Sequence, residues 1–374
     1  MRRIKFLLLL SLLLISLVGC AEQKLLEKVG LTILLGYDLG EESDLSTTAV
    51  IRQVNPEFQS NIEVISAENK TSKGTRTKIN RKTSKKIVAG QLRVVLYGDE
   101  LAKDGIADTL NALGRDSNIS SSIYIAVVDG ETKTLLNYKY ENIEDIGQHI
   151  FKLLEQNIEE EQIMSSTLHE VSHDYYSIGE DIALPILSKE EESINISGIA
   201  LFKRDKMIGE LPAEDVFYLK IGRDRYDSGI FETMIPSGNL DKPLMNNPPK
   251  ELSVVLDTIN SKNDLKLINQ SEPEFDLHVT MNARVLELNA EIDLGNQKNV
   301  AIMEKAISKS LSNEISRVIQ YCQDVNSDVF GLGQQYRSSV RNSNLTEDKW
   351  TEMYQKAKVN VEIDFNIIRS GTLD

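Results

Sequence analysis

Several residue types are scarce in this chain. It carries two cysteines in 374 residues, Cys20 and Cys322, together with one tryptophan, four histidines and eight prolines. Two cysteines allow at most one disulfide, so a disulfide-stapled scaffold is excluded and stability has to come from hydrophobic cores. Basic charge is also in deficit, with 42 Lys and Arg against 57 Asp and Glu, a formal charge of −15. A surface of that sign repels nucleic acid and anionic headgroups, which argues against both as ligands. Beyond the first twenty residues no stretch approaches eighteen uninterrupted apolar residues, so no further spanning helix is expected. P-loop, G-x-S-x-G and CxxC patterns are missing, and Gly331-Leu332-Gly333 is a bare G-x-G without a preceding strand.

What is present starts at the N-terminus. MRRIKFLLLLSLLLISLVGC has three basic residues, an apolar run from Phe6 to Val18 and small residues before Cys20. That order predicts a signal peptide over residues 1–19, removed on export, and the run is short for the ~20 residues a membrane span needs. Leu17-Val18-Gly19-Cys20 resembles a bacterial lipobox, in which the cysteine thiol takes a diacylglycerol. Two acyl chains hold a protein to a bilayer where one is marginal, at about 0.8 kcal/mol per buried methylene. Cleavage removes Arg2, Arg3 and Lys5 and no acid, so the mature charge becomes −18, and membrane attachment falls to the acyl group. With Cys20 modified, Cys322 has no partner for a disulfide. It lies on the apolar side of a helical stripe with Ile302, Ile307, Leu311, Ile315, Val318 and Ile319, which predicts a buried, inert thiol.

Hydrophobic periodicity predicts strands over Leu31–Leu39 and Leu45–Val54 as a hairpin, then over Ile62–Ser66, Leu92–Tyr97 and Ile123–Val128. A helix follows Gly98-Asp99-Glu100, and two more fall within 143–176. The basic stretch Thr71–Lys86 (TSKGTRTKINRKTSKK) has little periodicity and reads as solvated surface. Lys189-Glu190-Glu191-Glu192-Ser193 offers no core positions, so residues 189–193 are expected to link an N-terminal α+β region, 20–188, to a C-terminal α+β domain, 194–374. The N-terminal region has room for two subdomains. After the link, Ile194–Phe202 reads as a strand and Ala213–Leu219 as a helix. Phe275 to Asn282 and Val359 to Ile367 alternate apolar and polar residues with period two, the pattern of half-buried antiparallel strands. The fold class expected is α+β and multi-domain, with antiparallel or mixed sheets each packed with helices.

One motif carries possible chemistry. His169-Glu170-Val171-Ser172-His173 spells H-E-x-x-H, in which two imidazoles one helical turn apart grip zinc and the glutamate activates its water. A third ligand is wanting. Position 179 is glycine, only His149 and His278 remain elsewhere, and Glu190, Glu191 and Glu192 belong to the charged run. Leu168, Val171 and Tyr175 mark the packing face of this helix, which turns His169 and His173 toward its edge or toward solvent. His278 falls on a polar strand face. The expectation is therefore no catalytic residues and no metal, with a zinc metalloprotease using His169, Glu170 and His173 as the alternative.

Further blocks follow one another along the chain: LLGYDLG with Asp38, VVLYGDELAKDGIADTLNALGRD with Gly105, Arg115 and Asp116, DIALP from Asp181 to Pro185, and SGIALFKRDKMIGEL with Gly198, Phe202 and Gly209. Then come SDVFGLG with Asp328, Phe330, Gly331 and Gly333, and Trp350. In this order and spacing, with the lipobox before them, they resemble the Ger(x)C family, the lipoprotein C subunits of bacterial spore germinant receptors. Ala21-Glu22 stands where members often carry Trp-Asp. The resemblance implies a three-domain α+β protein anchored through Cys20 on the outer face of the cytoplasmic membrane, the inner membrane of the spore. It implies A and B membrane subunits as partners, a role in assembly or signalling, no catalysis and no cofactor beyond the acyl lipid. A solute-binding lipoprotein is the other reading. Gly198, Gly209, Gly331 and Gly333 are expected at turns or helix ends, and Phe330 and Trp350 in a core or against a partner.

Overall fold

The computed structural model describes residues 29–41, 44–54, 60–240, 244 and 249–368. The signal segment, Cys20 and the C-terminal end beyond residue 368 lie outside them. Two mixed sheets, each packed with helices, make up the architecture.

The first sheet has nine strands. At its centre β1 (Val29–Leu39), β5 (Val94–Gly98), β6 (Tyr124–Val128) and β7 (Ala183–Glu190) run parallel. All five residues of β5 are buried, as are the last four of β6, because helices cover both faces of the sheet and leave no wet side for polar residues. On one face α2 (Asp99–Asp104), α3 (Ala107–Gly114) and α6 (Leu168–Tyr176) close a core around Tyr97, Ile106, Ile125 and Leu184. On the other, α4 (Thr132–Asn137) and α5 (Ile146–Glu159) bury Leu96, Val128, Leu135, Ile150 and Leu154. The antiparallel strands β2 (Leu45–Val54) and β3 (Ser60–Asn69) extend the sheet on one side. On the other side β8 (Ser193–Lys203) and β9 (Lys206–Pro212) do the same.

Lys189 to Ser193 is not a linker. It is the tip of the β7–β8 hairpin, with Lys189 opposite Ile194 and Glu190 opposite Ser193. A solvated hairpin tip and an interdomain link both lack core positions, so charge alone does not separate them. The basic stretch likewise holds structure: α1 (Ser72–Asn80), capped by the Thr71 hydroxyl on the Gly74 amide at 3.1 Å, and β4 (Lys86–Val88), parallel to the first residues of β1. Only Thr75 and Ile79 of α1 are buried, too few to show as a period.

The second sheet has the order β10 (Ile230–Pro236), β11 (Glu251–Asn269), β12 (Glu274–Leu288), β13 (Lys358–Ile367). The alternating strands are β12 and β13, but they pair parallel, not antiparallel to each other; the antiparallel partner of β12 is β11. Period two reports one buried face and is blind to strand direction. The 28-residue helix α8 (Gln297–Asp324) lies on that face and buries Met303, Ile307, Leu311, Ile315, Val318 and Cys322. Burial pushes the Cys322 thiol far above its ordinary range, so it stays protonated and unreactive.

Between the sheets α7 (Ala213–Arg223) is buried from Asp215 to Gly222. Its charged groups survive there by pairing: Asp215 with Arg317, and Lys220 with the Ile163 carbonyl at 2.9 Å and with Glu161. One continuous apolar core runs from Leu96 and Ile150 through Leu201 and Leu219 to Phe275, Ile315 and Trp350.

Candidate functional site

The residues singled out near the C-terminus meet a segment 147 positions away. Chain reversal after α8 uses Asn326 at φ +64° and leads through Ser327 and Asp328 into α9 (Leu332–Ser339), entered by Gly331 at φ +70°. That left-handed value suits glycine, as expected for a helix-end position. Asp328 then caps the helix from inside. Its Oδ1 accepts the Leu332 amide at 3.0 Å, and its Oδ2 accepts the Gly333 amide at 2.8 Å and the Trp350 indole N–H at 2.9 Å. Trp350, on α10 (Glu347–Tyr354), is fully buried between Tyr336 and Tyr354, and Phe330 is buried with its ring against Gly222.

Asp181 closes the junction from the N-terminal side. Its amide donates to the Asp328 carbonyl at 2.9 Å, and its Oδ2 accepts the Asp328 amide at 2.8 Å. The same carboxylate takes Lys203 Nζ at 3.1 Å and the Arg204 amide at 3.0 Å. Ser327 donates to the Phe202 carbonyl at 2.6 Å, and Tyr354 to the Ser327 carbonyl at 2.8 Å. Gly179 and Gly333 cross at backbone contact: a Cβ on either would lie 2.5 Å from the other's Cα. DIALP, ALFKRD, SDVFGLG and Trp350 are therefore tied into one knot, buried except at Lys203, Arg204 and Asp205. Burial pushes the Asp328 carboxyl up to about 7, against the Gly333 and Leu332 amides and the indole, which favour its charged form; the nearby charge of Asp181 adds to the rise.

A smaller knot of the same kind ends β1. Asp38 accepts the Thr132 and Lys133 amides at 2.7 and 3.0 Å, capping α4, while a Cβ on Gly98 would lie 2.4 Å from its Oδ1. Burial raises the Asp38 carboxyl. Gly198 and Gly209 lie inside β8 and β9, not at turns.

The H-E-x-x-H residues do not converge. Thr167 and Glu170 form a capping box, with Glu170 Oε2 accepting the Thr167 amide at 3.0 Å and the Ser165 hydroxyl at 2.6 Å. The glutamate is thus turned back over the helix start, away from the histidines' other end. His169 is exposed. Among the described residues His173 groups with Asp174 and Glu180, their ligand-type atoms within 4.8 Å of one another. Arg223 sits against the other oxygens of the same two carboxylates, Asp174 Oδ2 and Glu180 Oε1, at 3.2 and 3.3 Å, so their negative charge is already partly balanced by a fixed cation. His278 lies on the polar face of β12, 3.2 Å from Asp364.

Known proteins match along nearly the whole chain. The profile of the spore germination protein N-terminal domain covers residues 22–189, and that of the spore germination B3/GerAC-like C-terminal domain covers residues 197–371. The chain belongs to the GerAC-like spore germination protein family. It is 24% identical over 361 residues to the spore germination protein GerQC of Bacillus cereus, covering 96% of this chain and 97% of that one. The crystal structure of the GerBC protein shares its fold at a TM-score of 0.57 and 16% identity, over 90% of this chain and 97% of that one.

The two GerAC-like profiles divide at the same charged hairpin tip that the sequence singled out, although hydrogen bonds of one sheet cross it. Sequence reasoning missed Gly179, Lys203 and Arg204 as members of the knot. Lys203 and Arg204 sat inside a quoted block, but nothing in a single sequence pairs them with Asp181, because that pairing is made by the return of β8 alongside β7.

Proposed function

We propose that this GerAC-like protein is the lipid-anchored, non-catalytic subunit of a nutrient germinant receptor, acting in receptor assembly and signalling beside membrane-embedded A and B subunits. The observation that carries this reading is that the residues defining the family resemblance are bonded to one another inside the protein. Asp181, Asp328, Gly333 and Trp350 join the two halves through buried hydrogen bonds. Such a knot preserves the relative placement of two surfaces, which is what an assembly component needs. The lipobox at Cys20 supports attachment to the outer face of the cytoplasmic membrane, and no helix among the described residues is long and apolar enough to cross one. Deletion of the gene abolishes nutrient-triggered germination in this reading, and the chain copurifies with A and B subunits from spore membranes. Normal germination in the deletion strain, with both membrane subunits present, would overturn it.

One observation favours solute binding as a second reading. A cavity of about 440 Å³ opens beside the carboxyl ends of β5 and β6, between Asp99, Lys103, Asp129, Met207 and Tyr321. Ligands of sheets with parallel strands gather at that edge, and the volume suits a small molecule. Saturable thermal stabilisation by a nutrient would support this reading, and its absence across amino acids, sugars and nucleosides would dismiss it.

A further inference from the structure

We propose that the turn between α1 and β4, Arg81-Lys82-Thr83-Ser84-Lys85-Lys86, docks on anionic lipid headgroups and seats the N-terminal half on the bilayer. This rests on the reading that Cys20 carries the anchor. Four basic residues stand within six positions, and from Thr71 to Lys86 the chain has no acid at all, although the whole molecule is strongly negative.

The fold puts this turn where the anchored segment arrives. Lys86 pairs with Val29, the first described residue, and Ile87 pairs with Gly30. A Cβ on Gly30 would lie 4.0 Å from Lys85 Cβ. Asn80 Oδ1 accepts the Ile87 amide at 3.0 Å, which holds the end of α1 down against β4. Arg81, Lys82 and Lys86 are exposed, and Lys82 reaches the Ser66 carbonyl at 2.7 Å. Val29 lies nine positions after Cys20, and at ~3.3–3.6 Å per position the chain between them spans about 30 Å at most. The tether therefore keeps the basic turn close to the headgroups.

At that range net charge is not what the membrane feels. The screening length is ≈ 8 Å at physiological ionic strength, so headgroups respond to the local patch and not to distant acids. Each Lys or Arg near an anionic surface strengthens association roughly fivefold. Local attraction and overall repulsion together orient the molecule, basic turn down and acidic bulk away.

The experiment replaces residues 1–20 of the chain with a histidine tag and tethers it to nickel-chelating vesicles, so that attachment does not depend on acylation. A dye on Ser84→Cys reports contact with quencher-labelled headgroups, and buried Cys322 stays unlabelled. Quenching is expected on phosphatidylglycerol vesicles, weaker on phosphatidylcholine, falling with salt and reduced to the neutral-vesicle level in R81E/K86E. Equal quenching on both lipids, or no effect of charge reversal in a variant with an unchanged melting curve, would overturn the proposal. So would contact that appears only when the membrane subunits are added. The mass of the N-terminal peptide from native membranes tests the acyl anchor separately.

Discussion

Three N–H donors converge on the Asp328 carboxylate from the Leu332 and Gly333 amides and the Trp350 indole. Asparagine has one acceptor oxygen and one amide donor, so Asp328→Asn turns an N–H₂ toward groups that themselves donate. With each unmade buried bond costing ≈ 1–3 kcal/mol, the variant should lose about 2–5 kcal/mol, read as a lower denaturant midpoint. The sign of the pH effect follows from the raised carboxyl. Its value of about 7 when folded exceeds the ≈ 3.9 of an unfolded aspartate, so the native state binds the proton more readily and this group's contribution to stability falls as pH rises from about 4 through 7. Wild type should therefore lose more stability than Asp328→Asn between pH 5 and pH 7. An equal slope in the two proteins would show that Asp328 keeps its charge throughout.

Helix α6 opens on a capping box between Thr167 and Glu170. Thr167→Ala removes the side chain that accepts the Glu170 amide and should cost about 1 kcal/mol. His169→Ala touches an exposed side chain and should stay within about 0.5 kcal/mol; chemical denaturation of the two variants separates cap from ligand. Where α9 crosses the 179–181 segment, Gly333→Ala drives a methyl to 2.5 Å from both Gly179 Cα and Trp350 Nε1. Overpacking of that kind costs about 1–3 kcal/mol, and the expected signature is a lowered melting temperature with altered Trp350 fluorescence. Helix α8 also protects an edge. Ser312 donates to the Val361 carbonyl at 2.7 Å, Glu304 accepts the Ile367 amide at 2.9 Å and Ser308 accepts that of Phe365 at 3.3 Å, which shields β13 from pairing with another chain.

Across the whole molecule, the shared core and the Asp181–Asp328 knot bind the two halves that the family profiles separate. Trp350 is the lone tryptophan and lies in the knot, so its fluorescence reports the junction while far-UV circular dichroism reports both sheets. The two signals should give one coincident unfolding transition. Loss of tryptophan signal ahead of the dichroism would mean that the halves come apart before either melts.

Much of this was legible in the residues. Periodicity placed the β1–β2 hairpin, the two helices within 143–176, the long apolar stripe of α8 and the inert Cys322, because each is decided by which side chains must leave water. The ordered motifs were enough for the family. What the sequence left open was pairing at a distance. Burial patterns do not state strand direction, so parallel β13 was unreadable, and a charged hairpin tip could pass for a linker. Asp181 and Asp328 stood out in the sequence only as members of two separate motifs. Only the folded chain brings them together, where the loss of water makes every N–H that reaches them count. The basic turn is the same case in reverse: its charge is plain in the sequence, but its place beside the start of β1 is set by the parallel pairing of β4.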